Sequence, residues 1–106
     1  MKVRKFNEKL NVDEPKLGDY TICIYSSNGK VNKIISSKIG KIINIDYNSN
    51  FPYDIRYDEL PMDRTITRYF NNKDSHSFIF KIDEILYFSE NKEDLEPMLQ
   101  AKKFNL

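Results

Sequence analysis

The residues best suited to chemistry are few in this sequence, and their spacing is poor. Cys23 is the one cysteine and His76 the one histidine, and they stand 53 positions apart. That separation matches no zinc-ligand spacing. With a single cysteine, no internal disulfide can form. Cys23 lies within the apolar run Tyr20-Thr21-Ile22-Cys23-Ile24 and reads as a small buried hydrophobe. His76, between Ser75 and Ser77 and just before an apolar stretch, is expected at the surface or at a strand edge. It is the only side chain that could act as the usual base for a serine or threonine nucleophile. The pairs Asp58-Glu59 and Asp83-Glu84 are adjacent, so in a strand their carboxylates would face opposite sides. Both pairs are expected in solvated turns or on the surface. Glu90, Glu93, Asp94 and Glu96 suit the start of a helix better than a calcium loop. Gly29-Lys30 and Gly40-Lys41 are followed by Val31 and Ile42, so no phosphate loop of the Gly-Lys-Ser/Thr type occurs. The expectation is a protein that is not an enzyme and carries no catalytic residues, cofactor or metal.

The aromatic residues say more. The chain has seven Tyr and seven Phe, more than the filling of so small a domain requires. Some tyrosines must then lie at the surface, and Tyr25, Tyr47 and Tyr69 are the candidates. Tyrosine offers a large apolar area with a polar tip, which suits interfaces. Arg64 and Arg68 lie near Tyr69 in sequence, with Arg56 not far before them. Tyr25, Tyr47, Arg64, Arg68 and Tyr69 together form the predicted protein-binding set. The alternative is a nucleic-acid patch built on Lys30, Lys33, Lys38 and Lys41 around the first loop.

Composition bounds both readings. The 106 residues fit one domain, and 40% of them are hydrophobic, which excludes a compositionally disordered chain. The net charge of +1 lacks the clear basic excess expected of a general phosphate binder. Behind Met1-Lys2-Val3-Arg4-Lys5 there is no apolar stretch of the signal-peptide kind, and no apolar run approaches the length of a membrane span. A cytoplasmic protein with no membrane partner is expected. Lys, Asn, Ile, Tyr and Phe, all encoded by AT-rich codons, supply nearly half the chain. This bias suggests a gene from an AT-rich bacterium, or from a phage or mobile element living in one.

Hydrophobic periodicity predicts the elements that must position these residues. Residues 1–17 read as an irregular arm packed onto the domain. Tyr20, Ile22 and Ile24 alternate as a first strand. Ser26-Ser27-Asn28-Gly29 ends it, with Asn-Gly as a turn whose residues tolerate positive φ. Val31, Ile34 and Ile35 have helical spacing. Ile39–Tyr47 reads as a second strand with Ile43, Ile45 and Tyr47 on one face and a bulge or tight bend at Gly40. Tyr53, Ile55 and Tyr57 form a third strand, and Phe78, Phe80 and Ile82 a fourth. Ile43, Ile45, Ile55, Phe78 and Phe80 are the predicted core. The connection 58–75 is long, with Asp63 as a cap for a short turn over Thr65–Phe70 and a polar turn at Asn71–Asp74. Ile85–Phe88 is a last short strand. Residues 90–104 read as a closing C-terminal helix, with Asp94 as its N-cap.

The run from Gly18-Asp19-Tyr20 through Ile39-Gly40-Lys41-Ile42-Ile43 to Tyr53-Asp54-Ile55-Arg56-Tyr57 resembles an SH3-like, Tudor- or KOW-like small barrel over roughly residues 17–104. The chain also resembles small uncharacterised proteins of AT-rich bacteria and their phages, in which a run like Ile85-Leu86-Tyr87-Phe88-Ser89 leads into a helix. The resemblance implies a mainly β fold: an SH3-like partly open barrel of about five antiparallel strands (residues 18–89) with a short C-terminal helix. It brings no catalytic residues with it. Such barrels bind peptides, proteins or nucleic acids, so the fold alone does not choose among them. The chain has no tryptophan, which argues against a proline-motif groove. The functional expectation is a module that docks on another protein, as a monomer or homodimer. If the gene is viral, its natural specialisation is inhibition of a host enzyme or defence complex by blockade.

Overall fold

The structure, a computed structural model, describes residues 2–3, 14–60, 64–71 and 75–104. The protein is mainly β, built on one open antiparallel sheet with a short C-terminal helix. Its strands are β1 (Lys2–Val3), β2 (Tyr20–Cys23), β3 (Gly40–Ile45), β4 (Tyr53–Arg56), β5 (Ser77–Phe80) and β6 (Ile85–Ser89). Their order across the sheet is β1-β6-β2-β3-β4-β5. Among the described residues three α-helices accompany them: α1 (Gly29–Ile35), α2 (Arg64–Thr67) and α3 (Glu96–Phe104).

The link between β5 and β6 sets the shape of the sheet. Four strand spacings separate these two strands, which in a flat sheet is about 19 Å. Only residues 81–84 connect them, and Ile82–Glu84 are wound into a tight 3-10 turn. A 3-10 turn rises about 2 Å per residue, so the link is too short for a flat sheet. The sheet is therefore rolled, with its apolar face on the inside and, among the described residues, its edges unpaired with each other. That face carries Cys23, Ile42, Tyr53, Ile55, Tyr57, Phe78, Phe80, Ile85 and Phe88, all buried. Val31 and Ile35 of α1 and Ile66 of α2 join the same cluster. Ile22 and Leu95 are also buried, outside it.

In β3 the alternation expected of Ile43, Ile45 and Tyr47 fails. Ile42 pairs with Ile55 and Asn44 with Asp54, so Ile43 is an extra residue in a bulge. The bulge brings Ile42 and Ile45, three apart, opposite the inward residues Ile55 and Tyr53. Ile43 is turned out, 43% exposed, and leaves the predicted core. Tyr47 lies beyond the strand in a turn. Gly40 is not the bulge. It allows close packing: a Cβ there would stand 2.5 Å from Ile55 Cγ2 and 2.8 Å from Tyr57 Cζ. Only glycine fits at that distance.

Other boundaries move for local reasons. Asn28 does not enter a hairpin turn. Its backbone is extended, and its side chain caps α1 by accepting from Lys30 N and Val31 N. Ile82 leaves the fourth strand for the 3-10 turn. Asp94 lies in a second 3-10 turn, Lys92–Asp94, so α3 begins two residues after it, at Glu96. Pro97 falls in the first turn of α3, where no intrahelical donor is lost. Of the expected N-terminal arm, Lys2–Val3 pairs with β6 as a strand, and residues 4–13 lie outside the described residues. So do the predicted cap Asp63 and residues 72–74 of the polar turn.

Candidate functional site

β2 ends at Cys23, and the chain turns into the segment that carries Tyr25 and Asn28. Four polar contacts pin this segment. Tyr25 N donates to Asn32 Oδ1 at 2.8 Å. Ser26 N and Ser26 Oγ donate to the Glu84 carboxylate at 3.0 and 2.7 Å. Asn28 Nδ2 donates to Tyr69 Oη at 2.9 Å. Glu84 was expected on the surface with Asp83. Instead it is 4% exposed, because its other oxygen accepts from Lys81 N at 2.8 Å and closes the 3-10 turn around it. Three donors offset the loss of water around this carboxylate. Asp83 stays exposed.

Around the pinned segment the rings form one cluster. Tyr25 meets Tyr69, Phe78 and Phe80 edge-on, with centroids 5.9, 5.5 and 5.9 Å apart. Phe70 stacks on His76 at 5.4 Å and meets Phe78 edge-on at 5.5 Å. His76 is thus part of the packing at the start of β5, where its φ of 51° lies in the left-handed region. The Arg68 guanidinium lies 6.0 Å from the Tyr69 ring centre. Tyr25 and Tyr69 are half-buried; Arg68 is exposed just after α2, near Tyr69, and Arg64 is exposed on α2. Burial is the main cause that raises the Tyr25 phenol above its ordinary pKa, and the neighbouring Tyr69 and Glu84 add to it.

The predicted protein-binding set is thus largely brought together. Tyr25, Arg68 and Tyr69 converge, and Arg64 lies one helical turn before Arg68. Tyr47 does not join them. It is 68% exposed at the β3–β4 turn and meets Tyr53 edge-on, with ring centroids 6.4 Å apart. The four lysines of the alternative patch fall into three settings. Lys30 and Lys33 are exposed on α1. Lys41 lies on the outer face of the sheet, 5.6 Å from the Tyr20 ring centre. Lys38 lines a groove of about 300 Å³ with Tyr57, Asp58, Glu59, Lys92 and Glu96.

Cys23 and His76 have separate surroundings. The Cys23 thiol donates to Thr21 Oγ1 at 3.4 Å and is fully buried. Burial pushes it up to about 12. The Tyr57 hydroxyl is buried near this thiol without a partner in hydrogen-bond geometry, and burial raises it well above its ordinary value. In the acidic stretch before α3, Ser89 Oγ donates to Asp94 at 2.6 Å and holds its carboxyl below the usual range. Among the described residues, no group of three or more His, Cys, Asp or Glu could hold a metal ion. No described helix is long and apolar enough to cross a membrane.

No protein-family model, curated protein or solved structure matches the chain.

Sequence reasoning missed Asn28 as a clamp and Glu84 as a buried brace. A capping signal was present in the former: Asn28 directly precedes Gly-Lys-Val-Asn-Lys-Ile-Ile, which has helical spacing. No local signal marks Glu84, whose partner Ser26 is 58 positions away.

Proposed function

We propose that the chain is a non-enzymatic protein-binding module that docks through the end of the sheet carrying α1 and α2. Tyr25, Tyr69, Arg64 and Arg68 are its contact residues. One observation carries this reading: a half-buried Tyr25–Tyr69 pair is held in place by Asn28 and by the Glu84 brace, with exposed arginines beside it. Large rings fixed before contact lose little freedom on binding. Tyr and Arg are also the side chains that dominate protein interfaces.

Within this reading the frame is an SH3-like, partly open barrel. Two features support it: the order β6-β2-β3-β4-β5 and the 3-10 turn between β5 and β6. The partner is another protein, and the setting is the cytoplasm. If the gene belongs to a phage or mobile element, one of the origins that the amino-acid composition fits, the module is an inhibitor that blocks a host enzyme or defence complex.

The test is affinity capture from the source lysate, with and without nuclease. A defined protein that survives nuclease treatment is the expected result. Recovery that collapses with nuclease would replace this reading with the nucleic-acid one.

A further inference from the structure

Charge is unevenly distributed along this nearly neutral chain. From Tyr20 to Ile45 there are four lysines and no acid. From Arg64 to Asn71 there are two arginines and no acid. Residues 82–96 reverse the balance, with six acids and Lys92 as the single base. The fold places the first two segments side by side. α1 packs against α2, and the Asn28–Tyr69 bond ties the start of one to the end of the other. Val31, Ile35 and Ile66 point into the core. Lys30, Lys33, Arg64 and Arg68 are left exposed. No carboxylate among the described residues pairs with any of the four.

We infer that this face takes an acidic segment of a partner protein, in which carboxylates alternate with apolar side chains. This rests on the docking reading above and names the chemistry of the partner. The arginines present planar forks that match carboxylates two bonds at a time. The half-exposed faces of Tyr25 and Tyr69 take the intervening apolar groups. A polyanion such as nucleic acid draws on the field of the whole molecule, and a net charge of +1 leaves that field weak. A short acidic segment needs only the local face.

The test uses amide shifts of the full chain titrated with a short peptide alternating Glu with Leu. A Lys–Leu peptide and a short single-stranded oligonucleotide serve as comparisons. Shifts are expected at residues 28–33 and 64–70. Lys30→Glu combined with Arg68→Glu should weaken binding by about tenfold or more. Lys41→Glu, on the outer sheet face, should leave it unchanged. Absence of shifts, shifts centred elsewhere, equal binding of the Lys–Leu peptide, or tighter binding of the oligonucleotide would each overturn the inference. If a nuclease-resistant partner is still captured in the lysate, the docking reading survives and only the acidic chemistry fails.

Discussion

The rolled inner face of the sheet and the α1–α2 end are both rich in aromatic rings, yet they are built in opposite ways. On the inner face, rings meet backbone. Tyr57 lies over Gly40, its hydroxyl is left without a partner, and the Cys23 thiol nearby is sealed from water. At the α1–α2 end, rings meet polar groups. Tyr69 accepts from Asn28, Tyr25 stands beside the Ser26–Glu84 brace, and Arg68 lies near the Tyr69 ring. The first region is buried and holds the fold together. The second keeps its rings half-exposed and holds them with hydrogen bonds. Tyr25 still packs edge-on against Phe78 and Phe80 of the inner face, so at this end polar braces are added to packing, and that addition is what a docking face needs.

The largest expected effect tests how well the inner face is sealed. With its thiol pushed up to about 12 from 9.0, Cys23 should react with a thiol reagent at pH 8 about a thousandfold or more slowly in the folded protein than in denaturant. Equal rates would show that the inner face is open. The same shift has a sign for stability. Between pH 9 and pH 12 the unfolded chain releases this proton while the folded one keeps it. Stability is therefore full below about 9 and is lost as pH rises towards 12. A denaturation midpoint that holds steady or rises over that range would contradict this.

Gly40→Ala comes next. The added methyl would press on Ile55 and the Tyr57 ring, and a loss of about 3 kcal/mol is expected in urea unfolding. Little change would mean that the Tyr57 ring can shift aside. Glu84→Ala removes the acceptor for Ser26 and Lys81 and should cost about 2 kcal/mol. Near-ultraviolet dichroism should also change as Tyr25 loosens. An unchanged tyrosine signal would show that the brace does not position the ring. Asn28→Ala is the mildest of the three, at about 1 kcal/mol for the lost cap. Because it also frees Tyr69, it should weaken partner capture more than its stability loss explains. Capture that falls only in step with stability would reduce Asn28 to an ordinary cap.

What could be read from the sequence divides along the same line. Strands β4 and β5 were legible because each alternates locally, as Tyr53-Asp54-Ile55-Arg56-Tyr57 shows, whereas β2 was legible only as an apolar run, its Thr21, Ile22 and Cys23 all being buried. The convergence of Tyr25 with Tyr69 and Arg68 was only half legible. The residue types signalled an interface, but only the packing of α1 on α2 joins positions so far apart in the chain. The β3 bulge was not legible, since a run of isoleucines fits either register until Ile42 meets Ile55. Tyr47 shows the limit of the pattern: an exposed tyrosine was expected there, and the fold places it away from the other candidates. Glu84 failed for the opposite reason. An acidic residue in a turn reads as solvated unless its distant donors are known.

The central claim is that the α1–α2 end is the docking face. Its most direct test compares capture by the wild-type chain with capture by an Arg64→Ala, Arg68→Ala double variant. Both side chains are exposed, so the double variant should keep its stability to within about 0.5 kcal/mol. The account predicts that the nuclease-resistant partner held by the wild type is lost from the double variant, while Tyr47→Ala retains it. A double variant that folds normally and captures the same partner equally well would contradict it.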